Sequence, residues 1–129
     1  GDGNDSLDGG FGADTLFGGN GDDTLIAGST SADDVVRTVE MSGGAGDDLF
    51  VMSTFIDSAV ITGFSAGAGT DDVIDLRETQ TVFEELADVI AASTEVGGNV
   101  EVNTGAYVLT IEGITLAQLD ADDFIFSVV

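Results

Sequence analysis

The chain has 129 residues, enough for one ordinary domain, and sets 25 acidic residues against 2 basic ones for a net charge of −23. That balance excludes nucleic acid and an anionic membrane surface as partners, because phosphate is bound by Lys and Arg. Cys and His are both absent, which excludes disulfides, a thiol nucleophile, a histidine base and an ordinary zinc site, and no run of about 18 apolar residues exists for membrane insertion.

An acidic, glycine-rich chain reads first as disordered. Here 43% of the residues are apolar and Pro is absent, which opposes disorder once the charge is balanced. Eighteen of the acids are Asp, a side chain short enough for tight cation-binding loops. A net charge of this size resists compaction unless cations neutralise it. The chain opens at Gly1-Asp2-Gly3, without Met and midway through a repeat, and is read as a piece of a longer protein.

Gly9-Gly10-Phe11-Gly12-Ala13-Asp14-Thr15-Leu16-Phe17 is followed directly by Gly18-Gly19-Asn20-Gly21-Asp22-Asp23-Thr24-Leu25-Ile26. Residues 1–8 fit the same frame with its first position missing. Asp5, Asp14 and Asp23 therefore recur every nine residues, as do Leu7, Leu16 and Leu25. A fourth copy, Gly43-Gly44-Ala45-Gly46-Asp47-Asp48-Leu49-Phe50-Val51, follows an interruption over 27–42. Those 16 residues predict a surface excursion, with Arg37 to Met41 alternating as a strand would. If they count as one half-turn of the repeat, Asp23 and Asp48 fall on the same edge.

Further on, Ser58 to Thr62 and Val73 to Leu76 are short apolar strands around the glycine loop 63–72. Residues 81–92 predict the one helix. Thr81 and Glu84 have capping-box spacing, and Phe83, Leu86, Ala87 and Ile90 share a face. Gly97-Gly98 is placed beyond its end as a breaker. Val100 to Val102 and Tyr107 to Ile111 form a hairpin around Asn103-Thr104-Gly105, residues 113–119 a turn or short helix, and 122–126 a last strand.

The nonapeptide Gly-Gly-x-Gly-x-Asp-x-apolar-x resembles the repeats-in-toxin family of hemolysin-type calcium-binding repeats. The resemblance implies a mainly β fold, a right-handed parallel β-roll in which two nonapeptides make one coil. A carboxy-terminal cap with one helix and a small hairpin follows, resembling the tail of serralysin-like secreted proteins. The division expected is a roll over 1–78 and a cap over 79–129. Calcium takes six to eight oxygens at about 2.3–2.6 Å, which glycine turns and Asp can supply.

In such a roll the ions lie between loops n and n+2, so Asp5 and Asp23 share one ion and Asp23 and Asp48 a further one. Asp14 looks across the other edge toward Asp33 or Asp34. Carbonyls of Gly3, Gly10, Gly12, Gly19, Gly21, Gly44 and Gly46 complete the set, with Asp34, Asp72 and Asp75 as later ligands and roughly three to six ions in all. Gly63 stands before Phe64, where relatives place Asp. Asp8, Asp57 and Asp88 read as solvated charges; Asp22 and Asp47 stay open between surface and ligand roles.

The functional expectation is a calcium-dependent folding module of a protein secreted by a bacterium. Residues 122–129 resemble the carboxy-terminal signal read by a type I secretion machinery, if Val129 is the terminus. The alternative is the non-catalytic domain of a secreted enzyme, a serralysin-like metalloprotease or a lipase, or a structural segment of an adhesin or surface-layer protein. No catalytic site is expected in this chain. A metalloprotease needs His-Glu-x-x-His, which a chain without His lacks. A glycosidase built on paired carboxylates is a third reading, but abundant Asp makes close pairs uninformative.

Overall fold

The computed structural model describes residues 1–28, 38–67 and 72–127. The nine-residue period becomes two stacked sheets, because each repeat contributes one short strand and then turns. Strands β1 (Ser6–Asp8), β3 (Thr24–Ile26), β5 (Leu49–Val51), β7 (Val73–Asp75) and β11 (Phe124–Ile125) form one five-stranded sheet in that order. Strands β2 (Asp14–Asn20), β4 (Thr38–Ala45), β6 (Ser58–Thr62), β10 (Val108–Glu112), β9 (Asn99–Asn103) and β8 (Ser93–Val96) form the other. All pairs are parallel except β10–β9 and β9–β8.

Register explains the core. Leu7, Leu25, Phe50, Ile74 and Phe124 align across the first sheet. Leu16, Met41, Ile61, Ile111 and Val100 align across the second, beside a column of Val39, Ala59, Leu109 and Val102. Side chains of a strand alternate faces, so each repeat sends its single apolar residue between the sheets. Phe50 meets Phe64 there, with ring centroids 6.0 Å apart. Leu7 is only half-buried, whereas Leu25, Phe50 and Ile74 are fully enclosed.

The interruption adds one half-turn to the strand order, since β3 pairs with β5 and β2 with β4 on either side of it, while residues 29–37 lie outside the described residues. Asp33 and Asp34 lie outside the described residues, so the expected partner of Asp14 does too. Both sheets continue past residue 78: β10 extends one beside β6, and β11 the other beside β7.

The helix α1 spans Leu86–Ala91, shorter than expected, and its cap is Glu85 rather than Thr81. The Asp88 carboxylate accepts the amides of Glu84 at 2.9 Å and Glu85 at 3.2 Å, closing the box four residues late. Residues 81–84 are held elsewhere: Thr81 donates its amide to the Thr104 carbonyl, and Phe83 is fully buried. The buried face of α1 centres on Val89, and Ala87 is exposed. Gly97-Gly98, both at positive φ, form the two-residue turn joining β8 to β9 instead of a helix end. Among the described residues no helix is long and apolar enough to cross a membrane.

Candidate metal centre

The loops that feed β1, β3, β5 and β7 stack along one edge of the roll. Their last residue is Asp5, Asp23, Asp48 and Asp72, and these four form a ladder. The Asp5 amide donates to Asp23 Oδ1 at 2.8 Å, that of Asp23 to Asp48 Oδ1 at 2.9 Å, and that of Asp48 to Asp72 Oδ1 at 3.0 Å. Strand pairing continues each step, because the Asp5, Asp23 and Asp48 carbonyls accept the amides of Thr24, Leu49 and Val73. The carboxylates of Asp23, Asp48 and Asp72 are thereby each fixed through Oδ1 and aimed by it.

The second oxygen distinguishes the middle of the ladder. Asp23 and Asp48 are each 1% exposed, and Oδ2 of both is buried with no hydrogen-bond partner. A bare anionic oxygen away from water is costly unless a cation meets it. Burial raises the Asp48 carboxyl above the usual carboxylate range; the Asp23 amide opposes this, and the charges of Asp72, Asp23 and Asp22 add to it.

Glycine backbone faces both orphaned oxygens. A Cβ built on Gly18 would fall 2.2 Å from Asp23 Oδ2 and 2.5 Å from the Gly43 carbonyl oxygen. One on Gly43 would fall 2.0 Å from Asp48 Oδ2. At Gly18 a carboxylate and a carbonyl oxygen therefore converge where a side chain is excluded. The second edge repeats the arrangement more openly: a Cβ on Gly9 would lie 3.0 Å from the Ala27 carbonyl and 3.1 Å from Asp14 Oδ2.

Among the described residues no three carboxylates converge, so carbonyl oxygens must complete any cation shell. The glycines allow it. Gly44, at φ 107°, stacks on the Gly19 carbonyl at a distance that forbids a Cβ, and Gly46 stands likewise on Gly21. Gly19 and Gly21 stack in the same way on the first loop, Gly21 over Gly3. On the second edge Gly28 presses against Gly10, while Gly12 has positive φ. Hard oxygen donors, mostly carbonyl with one carboxylate per loop, suit calcium.

Two of the sequence-derived ligands have other partners. Asp72 gives its second oxygen to the Ser65 amide at 2.9 Å. Asp75, at the end of β7, receives Arg77 Nε at 3.0 Å and Nη2 at 2.6 Å, plus the Arg77 amide. The guanidinium holds the Asp75 carboxyl below its ordinary range despite burial. Asp75 is therefore left out of the ligand set. The first glycine of each repeat, Gly9, Gly18 and Gly43, faces the carboxylate and was not singled out from sequence, although its strict recurrence marks it. Asp22 and Asp47 form a second, exposed ladder: Asn4 Oδ1 accepts the Asp22 amide and Asp22 Oδ1 the Asp47 amide, both at 3.0 Å. Asp88 is a helix cap, and Asp8 accepts the Gly10 amide at 3.0 Å.

Residues 1–31 match the family described as the RTX calcium-binding nonapeptide repeat, in four copies. No curated protein sequence matches the chain. Among solved structures, the fold is similar to the extracellular lipase LipA of Serratia marcescens, with TM-score 0.61 and 20% identity. That alignment covers 98% of this chain and only 20% of the lipase. It is also similar to the AlgE6R3 subunit of the Azotobacter vinelandii mannuronan C5-epimerase, with TM-score 0.60, 23% identity, and 97% and 79% of the two chains covered. The chain has the β-roll fold, and its residues 1–31 match a repeat family that is described as calcium-binding.

Proposed function

We propose that this chain is a calcium-dependent folding module, non-catalytic in itself, of a protein secreted by a bacterium. The observation that carries the reading is the pair of buried, unpartnered Oδ2 atoms on Asp23 and Asp48, each against glycine backbone. Asp5, Asp14, Asp23 and Asp48 are the proposed carboxylate ligands, with carbonyls of the loop glycines, Gly43 included. Bound calcium supplies divalent charge at points where the chain itself offers only oxygen.

The energetics favour a structural ion. One buried apolar side chain per nine ordered residues is too little burial to offset the backbone entropy of ordering them. A site whose dissociation constant lies 100-fold below ambient calcium contributes about 2.7 kcal/mol, so three sites give roughly 8 kcal/mol. At cytosolic calcium the same sites contribute almost nothing. The repeats are then unfolded inside the cell and folded outside it, which suits export by a type I secretion machinery. In this reading residues 1–78 take up calcium and 79–129 close the roll.

A second reading, the non-catalytic part of a secreted enzyme, is favoured by the likeness of the whole chain to one fifth of an extracellular lipase. Sequence toward the amino terminus of the parent protein separates the two. For the module itself, circular dichroism is the test. The β signal is expected to fall in a chelator and to return with millimolar calcium but not magnesium. A spectrum indifferent to the chelator refutes the proposal.

A further inference from the structure

Among the described residues the buried carboxylates fall into two groups. Asp23 and Asp48 each keep one oxygen without a protein donor. From Asp72 onward every buried carboxylate has both oxygens, or its whole charge, met by the protein. Asp72 receives the Asp48 and Ser65 amides at 3.0 and 2.9 Å. Asp75 is clasped by Arg77. Asp123, 0% exposed, accepts the Gly67 amide through both oxygens at 3.0 and 3.1 Å and the Asp120 amide at 2.7 Å.

We infer that Asp72 closes the cation array: it is the ladder carboxylate whose second oxygen is committed to the Ser65 amide instead of an ion. This rests on the calcium reading of Asp23 and Asp48. Asp72 occupies their place in the ladder, accepting the amide of the preceding Asp through Oδ1. Its Oδ2 turns to its own loop, as theirs turn toward Gly18 and Gly43, but there it finds an N–H donor. An oxygen that accepts a backbone hydrogen has less charge to offer a metal, and the amide proton stands where the ion would. Asp72 thus positions the Asp48 loop from the far side. Beyond it, Arg77 and backbone amides replace calcium as the source of positive charge.

The test uses the full chain and Asp23→Asn, Asp48→Asn and Asp72→Asn. Native mass spectrometry in saturating calcium counts ions, and hydrogen exchange of the calcium-loaded wild type reads the Ser65 amide. Asp23→Asn and Asp48→Asn are expected to lose an ion each, whereas Asp72→Asn keeps the wild-type count. The Ser65 amide is expected to be protected in saturating calcium. An Asp72→Asn variant that loses an ion as Asp48→Asn does, or a Ser65 amide that exchanges like an open loop, overturns the inference. Should Asp72→Asn not fold, the Ser65 measurement decides alone. Full ion counts in Asp23→Asn and Asp48→Asn would instead defeat the calcium assignment itself, and so tell the two failures apart.

Discussion

Gly18→Ala separates the cation space from the backbone that frames it. Gly18 is not among the positive-φ glycines, so alanine is allowed its backbone conformation. Its methyl carbon, however, falls 2.2 Å from Asp23 Oδ2 and 2.5 Å from the Gly43 carbonyl, where an ion would sit. Loss of one site costs about 2.7 kcal/mol when calcium stands 100-fold above the dissociation constant. Crowding adds about 1–3 kcal/mol at any calcium level. For a domain of this size the sum corresponds to a melting temperature lower by roughly 15 °C. The two parts separate experimentally, because only the ion-linked part grows with calcium concentration. Melts followed by circular dichroism across a calcium series should give Gly18→Ala a shallower dependence of melting temperature on log calcium. Asp23→Asn, which adds no volume and keeps an acceptor for the Asp5 amide, should show the same shallow slope with less crowding loss. A Gly18→Ala slope equal to that of wild type would refute the placement of a cation between Gly18, Asp23 and Gly43.

Phe50→Ala empties the centre of the first sheet and removes the ring against Phe64; it should cost about 3–5 kcal/mol in saturating calcium, read by chemical denaturation. Arg77→Gln leaves the buried Asp75 carboxylate without its main partner, so its melting temperature in saturating calcium should fall. The folded Asp75 carboxyl is depressed, so this contribution is present above the unfolded carboxylate value and lost as pH falls through the folded one. The deficit of Arg77→Gln against wild type should therefore persist at neutral pH and shrink in acid below the ordinary carboxylate range. A deficit independent of pH would mean that Arg77 acts by packing alone.

Much of the roll was legible because its period is covalent. Once Leu7, Leu16 and Leu25 recur every nine residues, the strands and their inward side chains follow from alternation. The half-turn over 27–42 was legible only as one choice, because 16 residues are not a multiple of the repeat; pairing of β3 with β5 decides it. The helix start was misplaced because two capping boxes, 81–84 and 85–88, lie side by side. Tertiary anchoring of Thr81 and Phe83 hands the cap to Glu85 and Asp88. Gly97-Gly98 carries the signal of a tight turn as plainly as that of a breaker, and only the pairing of β8 with β9 selects between them. At the site, the ladder aspartates announce themselves by spacing, but the fate of each second oxygen does not. Asp72 depends on Ser65, seven residues earlier across a loop. Asp75 and Arg77 were within reach of sequence reasoning, since residues two apart at a strand end share a side and Arg77 is one of only 2 basic residues.

The rungs of the carboxylate ladder are unequal in chain length. Asp5 and Asp23 lie 18 residues apart, Asp23 and Asp48 25, and yet both pairs are joined by the same bond between amide and carboxylate. Seven additional residues enter one winding without shifting the next, because strands β3 and β5 stay in register on either side of them. The roll thus behaves as a spool whose pitch is set along one seam, whatever the length of chain wound between two rungs.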